Sequence, residues 1–370
     1  MTDRERVARL AADLVRIDSR SALSNLPVAE RIEAELPGFE IERLDYVGDA
    51  GTPKRVLVAH RGGPEGPIPG GLALSGHMDT VPATGWEGDP WSGAVDAGGR
   101  LRGLGSADMK GPVAACVVAA CGLPPGIPVT LLITTDEETT KRGATVVAER
   151  SALARRAALR GIVVAEPTRL IPVRGHRAAI NMTAVATGVQ AHSSTGRGVN
   201  ANWALIPFLA EMRAIHARLR DDPALRDPAY DPPFGDFNLV LDNGGTAVNV
   251  TVGRATAAIK FRFSRALDPE PILAAVRAAA ARAGLELDVV RDGAPPELAA
   301  DHPLVRAAVA ATGHAATTAP FGTDATRLVA LAPCLILGPG DIAEAHTPTE
   351  SVALDDLAAA VPLYRALLRG

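Results

Sequence analysis

The chain has 370 residues, 47% of them hydrophobic and 22% charged, with a formal net charge of −4. That length allows two domains, or one domain with a large insertion, and the composition is that of a globular protein. The acidic balance argues against nucleic acid or an anionic membrane as partner, no apolar run reaches transmembrane length, and Cys116, Cys121 and Cys334 form no CxxC pair, which points to reduced thiols in a cytoplasmic protein.

The N-terminus lacks the apolar stretch of a signal peptide. Thr2 and Glu5 instead form a capping-box pattern ahead of Val7, Leu10, Leu14 and Ile17, whose spacing predicts an amphipathic helix. Strands are expected at 55–59 and 72–75, with a Gly- and Pro-rich loop from Arg61 to Gly71 between them. The second strand runs into Gly76-His77-Met78-Asp79. Residues 103–111 lead through Pro112 into a helix that ends at Cys121. A buried strand at 129–133 runs into Thr134-Thr135-Asp136-Glu137-Glu138-Thr139, a helix is expected over 145–159, and a strand at 162–165 ends in Glu166-Pro167.

Near Val173 the pattern changes. A strand at 178–187, a helix at 200–219, strands at 237–241 and 256–263, a helix at 270–283 and a strand at 285–290 give the order β-α-β-β-α-β of a ferredoxin-like sandwich. Helix at 303–312, a buried strand at 334–337 and a closing helix at 351–368 come next. The expected architecture is α/β: one domain over 1–173 and 292–370 with a mixed, mainly parallel sheet, interrupted by a small α+β domain over 174–291.

Three adjacent carboxylates after a buried strand repel one another and are tolerated cheaply only where solvent or cations neutralise them. In open α/β sheets, ligands bind beyond the carboxyl ends of the strands. His77, Glu137 and Glu138, Glu166 and His346 all lie just past such ends, and Asp108 precedes a helix on the next connection. Five connections bringing His, Asp or Glu to one edge point to a metal site. Two histidines among carboxylates suit Zn²⁺, with Co²⁺ as a substitute, and the ligand number suggests two ions sharing one carboxylate. Asp79, two residues beyond His77, could reach its far ring nitrogen and fix the tautomer. Asp136 is expected to brace the turn by accepting backbone hydrogen bonds. Walker A, G-x-S-x-G and H-E-x-x-H patterns are absent.

S-G-H-M-D-T-V-P (75–82), G-L-G-S-A-D-M-K-G (103–111), T-T-D-E-E-T (134–139), A-E-P-T (165–168), Q-A-H-S-S (190–194) and L-G-P-G-D-I-A-E-A-H-T-P-T-E (337–350) resemble, in order and spacing, the acetylornithine deacetylase and succinyl-diaminopimelate desuccinylase family of di-zinc amidohydrolases. The segment E-P-T-R-L-I-P-V-R-G-H-R (166–177) and the L-G-P-G loop resemble acetylornithine deacetylase most within it. The resemblance implies a zinc-hydrolase catalytic domain and a dimerisation or lid domain. It implies one zinc on His77 and Glu166, a second on Glu138 and His346, Asp108 bridging, Glu137 as general base and Asp79 orienting His77. It further implies a homodimer in which His192 enters the partner subunit's site, substrate contacts from Arg262, Asn249, Gly322, Thr323 and Asp324, and an N-acyl amino acid as the small-molecule substrate.

Overall fold

The capping box forms as expected. The Thr2 hydroxyl accepts the Glu5 amide, the Glu5 carboxylate accepts the Thr2 amide, and the helix Asp3–Val15 begins there. The computed structural model describes residues 1–49, 51–62 and 70–370, so the Gly- and Pro-rich loop expected from Arg61 to Gly71 lies mostly outside the described residues. Val7, Leu10 and Leu14 join one core with the helices Lys110–Cys121 and Leu354–Arg369. The helix Lys110–Cys121 is buried from Lys110 to Ala120 and has no polar face, so it needs cover on all sides. The two neighbouring helices and the strand Leu72–His77 supply that cover.

Among the described residues eight strands form one sheet, in the order Glu40–Val47, Pro53–Arg61, Val129–Thr134, Leu72–His77, Gly161–Val164, Cys334–Ile336, Val173–His176 and Thr317–Ala319. The four from Val129–Thr134 to Cys334–Ile336 are mutually parallel and wholly buried. Burial of both faces accounts for their unbroken apolar runs. Antiparallel pairs flank this centre on both sides, which makes the sheet mixed. The register sets His77 opposite Thr134 and Ser75 opposite Val164, so the loops after three strands leave the sheet at one level.

Two expected helices differ from those observed. The one over 145–159 is split into Arg142–Arg150 and Ala152–Arg156, because Ser151 is extended and its hydroxyl caps the second helix by accepting the Ala154 amide. The closing helix starts only at Leu354, because Ser351–Ala353 pairs as a strand with Arg100–Arg102. The helix Leu26–Glu33 and the strand Glu40–Val47 are additional. That strand buries only Leu44, so its alternation is masked by charged residues.

The chain divides into two compact units: Met1–Gly175 with Pro296–Thr318 and Thr323–Gly370, and His176–Pro295 with Ala319–Gly322. The second holds a four-stranded antiparallel sheet in the order Asp236–Asp242, Arg254–Phe263, Ala178–Thr187, Glu286–Arg291. The helices Asn202–Asp221 and Glu270–Arg282 complete the ferredoxin-like arrangement. Ala255, Ala257, Ile259, Phe261 and Phe263 alternate inward and share a core with Phe208, Leu273 and Val276. Phe208→Ala is expected to destabilise this unit by about 3–5 kcal/mol. Urea unfolding monitored by circular dichroism would read this as an earlier transition, and a wild-type midpoint would contradict it.

Candidate metal centre

His77 ends the strand Leu72–His77 and is 1% exposed. Its Nε2 lies 3.0 Å from Asp108 Oδ1 and 4.0 Å from Glu166 Oε1. The other Asp108 oxygen, Oδ2, lies 3.3 Å from His346 Nε2, which is also 3.0 Å from Glu138 Oε1. Asp108 therefore stands between two histidines, one oxygen toward each. Single donor atoms of His77, Asp108 and Glu138 also fall within 4.8 Å of one another. The structure thus brings all five expected donors together, in the pairing His77 with Glu166 and His346 with Glu138.

Asp79 lies at the far ring nitrogen of His77. The His77 Nδ1 donates to the Asp79 backbone carbonyl at 3.0 Å, while the Asp79 carboxylate is 3.5 Å away. That bond leaves Nε2 facing Asp108. The Asp79 carboxylate also accepts the Ser21 hydroxyl at 2.7 Å and the amides of Glu137 and Glu138 at 3.2 and 3.3 Å. Asp136 braces the turn by accepting the Thr140 and Lys141 amides at its carbonyl, while its carboxylate, beyond what was expected, accepts from Tyr46 and pairs with Lys54. Glu137 is buried, with Oε1 3.3 Å from Lys141 Nζ.

Burial pushes the Glu138 carboxyl up to about 7, against the pull of His346. Burial also raises Glu137 and Glu166, with the charge of Asp108 adding at Glu166. Burial opposes ionisation at Asp108 too, but the bonds from His346 and His77 hold it below the usual carboxylate range. The bonds to Asp108 and Glu138 raise His346 to about 10. The pattern is that of a buried negative cluster short of positive charge. Two imidazoles and three carboxylates at one place fit divalent transition-metal ions, which would provide that charge.

The sequence model of the peptidase family M20/M25/M40 matches residues 73–370. The chain belongs to that family. Its members are metallohydrolases acting on amide bonds, and this chain is one of them. An acetylornithine deacetylase of Myxococcus xanthus is 33% identical over 361 residues, 93% of this chain and 92% of the relative. Another, of Proteus mirabilis, is 32% identical over 297 residues, covering 76% and 75%. Among solved structures, the dipeptidase Dug1p of Saccharomyces cerevisiae superposes with a TM-score of 0.76 at 16% identity, covering 99% and 97% of the chains. A tripeptidase of Staphylococcus aureus gives 0.75 at 20% identity, covering 100% and 98%.

The other expected residues of this M20 chain are divided between its two units. In the first, Asp324 is 1% exposed; its Oδ2 accepts the Thr134 hydroxyl, and burial with the charge of Glu137 pushes it up to about 7. Thr323 is buried, and its hydroxyl accepts the Ala325 amide. In the second unit, His192 is exposed, and its Nδ1 accepts the Ser194 amide at 3.3 Å. Asn249 lies in an exposed turn, and its carbonyl accepts the Ser193 amide. Arg262 lines a cavity of about 300 Å³ with Arg177, Asp236 and Phe321, and its Nη1 is 3.4 Å from Asp236 Oδ2. Gly322 lies within that unit as well, its backbone packed near the Arg177 carbonyl.

Two further buried polar groups were not expected from the sequence. Glu350 Oε1 accepts the Ala107 and Asp108 amides at 2.9 and 3.0 Å, fixing the backbone under the central carboxylate. It closes the 337–350 motif, which was the available signal. Arg177 is 3% exposed, with Nε lacking a hydrogen-bond partner among the described residues. Stripping divalent metal with a chelator is expected to lower Tm by several degrees, and zinc or cobalt to restore it. An unchanged melting curve after metal loss verified by elemental analysis would count against the five-residue site.

Proposed function

We propose that this chain is a zinc-dependent amidohydrolase that removes the acetyl group from N2-acetylornithine, giving ornithine and acetate, in cytoplasmic arginine biosynthesis. The observation that carries the reading is a buried carboxyl, Glu137, next in sequence to Glu138, whose Oε1 lies 3.0 Å from His346 Nε2 among side chains that could hold metal. The curated relatives named acetylornithine deacetylase support the substrate. In this reading the first unit is catalytic. His77 and Glu166 would hold one zinc ion and Glu138 and His346 a second, with Asp108 as a shared donor, and cobalt would serve in place of zinc. The ions would polarise the acyl carbonyl and acidify water. Glu137 takes a proton from the attacking water and returns it to the leaving amine. Its raised proton affinity, a result of burial, suits both halves of that exchange. Arg262 orients the substrate carboxylate, helped by Asn249. Gly322 and Thr323 form the substrate-side loop, with Asp324 behind it.

The second unit serves as dimerisation and lid domain, and His192 completes the partner subunit's site by stabilising the oxyanion. An apolar surface supports the homodimer: Leu239, Val240 and Leu241 on the edge strand Asp236–Asp242, with Trp203 and Ile206 on the helix Asn202–Asp221, are exposed. A second reading, favoured by the solved relatives named as dipeptidase and tripeptidase, keeps the chemistry and changes the substrate to another N-acyl amino acid or a dipeptide.

A panel of acetylornithine, acetylcitrulline, succinyl-diaminopimelate and dipeptides, assayed with zinc or cobalt, decides between them. Acetylornithine is expected to lead in kcat/KM, and a clear preference for any other member replaces the first reading with the second. Glu137→Gln is expected to lower kcat by about 10²–10⁴ while bound metal stays at the wild-type level. Full activity in that variant would falsify the base assignment. Mixing inactive His192→Ala and Glu137→Gln subunits is expected to regenerate activity through heterodimers, and a mixture that exchanges subunits yet stays inactive would show that His192 acts in no partner site.

A further inference from the structure

The acidic turn at 136–138 is gripped from behind by a buried cation. Lys54 lies in the strand Pro53–Arg61, with its side chain 1% exposed. Its Nζ is 2.8 Å from Asp136 Oδ1 and donates to the Ser21 carbonyl at 2.7 Å. Tyr46 pairs with Lys54 across the strands, and its hydroxyl donates to Asp136 Oδ2 at 2.7 Å. Both oxygens of Asp136 are thus engaged by side chains of the sheet margin. Asp136 itself sits at φ 60°, a left-handed conformation that aspartate tolerates better than most residues but that needs outside support.

The second bond of Lys54 reaches the other half of the site. The carbonyl it holds belongs to Ser21, whose hydroxyl donates to Asp79 Oδ2. Asp79 in turn receives the Glu137 and Glu138 amides, and its carbonyl receives His77 Nδ1. One ammonium group therefore ties the turn that carries Glu137 and Glu138 to the loop that supports Asp79. A buried ion pair is weak as a stabilising device, since apolar side chains of similar volume often do as well or better. What the pair provides is direction: an ammonium with three donors fixes two segments relative to each other.

We infer that Lys54, acting with Tyr46 and Asp136, is a positioning residue for the general base and for the adjacent metal donor. This rests on the proposed roles of Glu137 and Glu138. The test uses the full-length chain with Lys54→Met, Asp136→Asn, Tyr46→Phe and the double variant Lys54→Met/Asp136→Asn. Three quantities are read: cobalt affinity with the visible absorption of the bound ion, kcat and KM on the preferred substrate, and Tm. Lys54→Met and Asp136→Asn are each expected to weaken cobalt binding about tenfold and lower kcat by a similar factor, with KM nearly unchanged. The double variant is expected to be little worse than either single, since both break one link.

A lowered Tm with wild-type cobalt affinity, spectrum and kcat overturns the inference and makes the pair merely structural. If Lys54→Met does not fold, Tyr46→Phe carries the test, since it removes one hydroxyl and no charge. It is expected to alter the cobalt spectrum and reduce kcat several-fold, and a variant matching wild type in both overturns the inference. A wild-type chain that hydrolyses no member of the panel overturns the proposed function instead, and the cobalt titration still decides whether Lys54 positions Glu138.

Discussion

Repulsion among buried carboxylates is the constraint that the rest of the first unit answers. Asp79, Asp108, Glu137 and Glu166 are buried, and the Glu138 side chain is 8% exposed. At about 4 Å, two like charges near a protein surface repel by roughly 4 kcal/mol, so the cluster survives only where each charge has an answer. Asp79 receives two backbone amides and a hydroxyl, Asp108 faces two imidazoles, and Glu137 lies beside Lys141. What these leave unbalanced is the share that divalent ions would neutralise. Each answer also fixes a direction, so neutralising the cluster and shaping it are one process.

The sheet makes that possible by ending its parallel strands together. Continuous apolar runs force burial on both faces, burial forces helices to cover the sheet, and the connections are left to carry polar side chains at the strand ends. Glu350, from the segment before the closing helix, supports Asp108 through backbone amides, as Asp79 does for the acidic turn. Amides are suited to this because they carry partial positive charge without adding a titrating group.

In the proposed function, chemistry and recognition fall to separate parts of the chain. The five candidate metal donors and Glu137 belong to the first unit, whereas His192, Asn249 and Arg262 belong to the second. Solved structures named as tripeptidase and dipeptidase share the fold at 20% and 16% identity, and curated relatives named as acetylornithine deacetylase share about a third of their residues with this chain.

Residue order alone determined the α/β class, the ferredoxin-like insertion and the residues that meet at the sheet edge, because each depends on local periodicity or on the residue types just past a buried strand. The split at Ser151 and the short strand Ser351–Ala353 were invisible, since a capping hydroxyl and a three-residue pairing leave no periodic trace. The same holds for the partners. Nothing near Lys54 in sequence announces Asp136, 82 positions away, nor does anything near Glu350 announce Asp108. Tertiary structure decided that Asp79 steers His77 through its carbonyl, that Asp136 answers to a buried lysine, and that Asp108 stands between two histidines. A sequence can specify which groups carry charge, but which charge answers which is a matter of distances that only the folded chain sets.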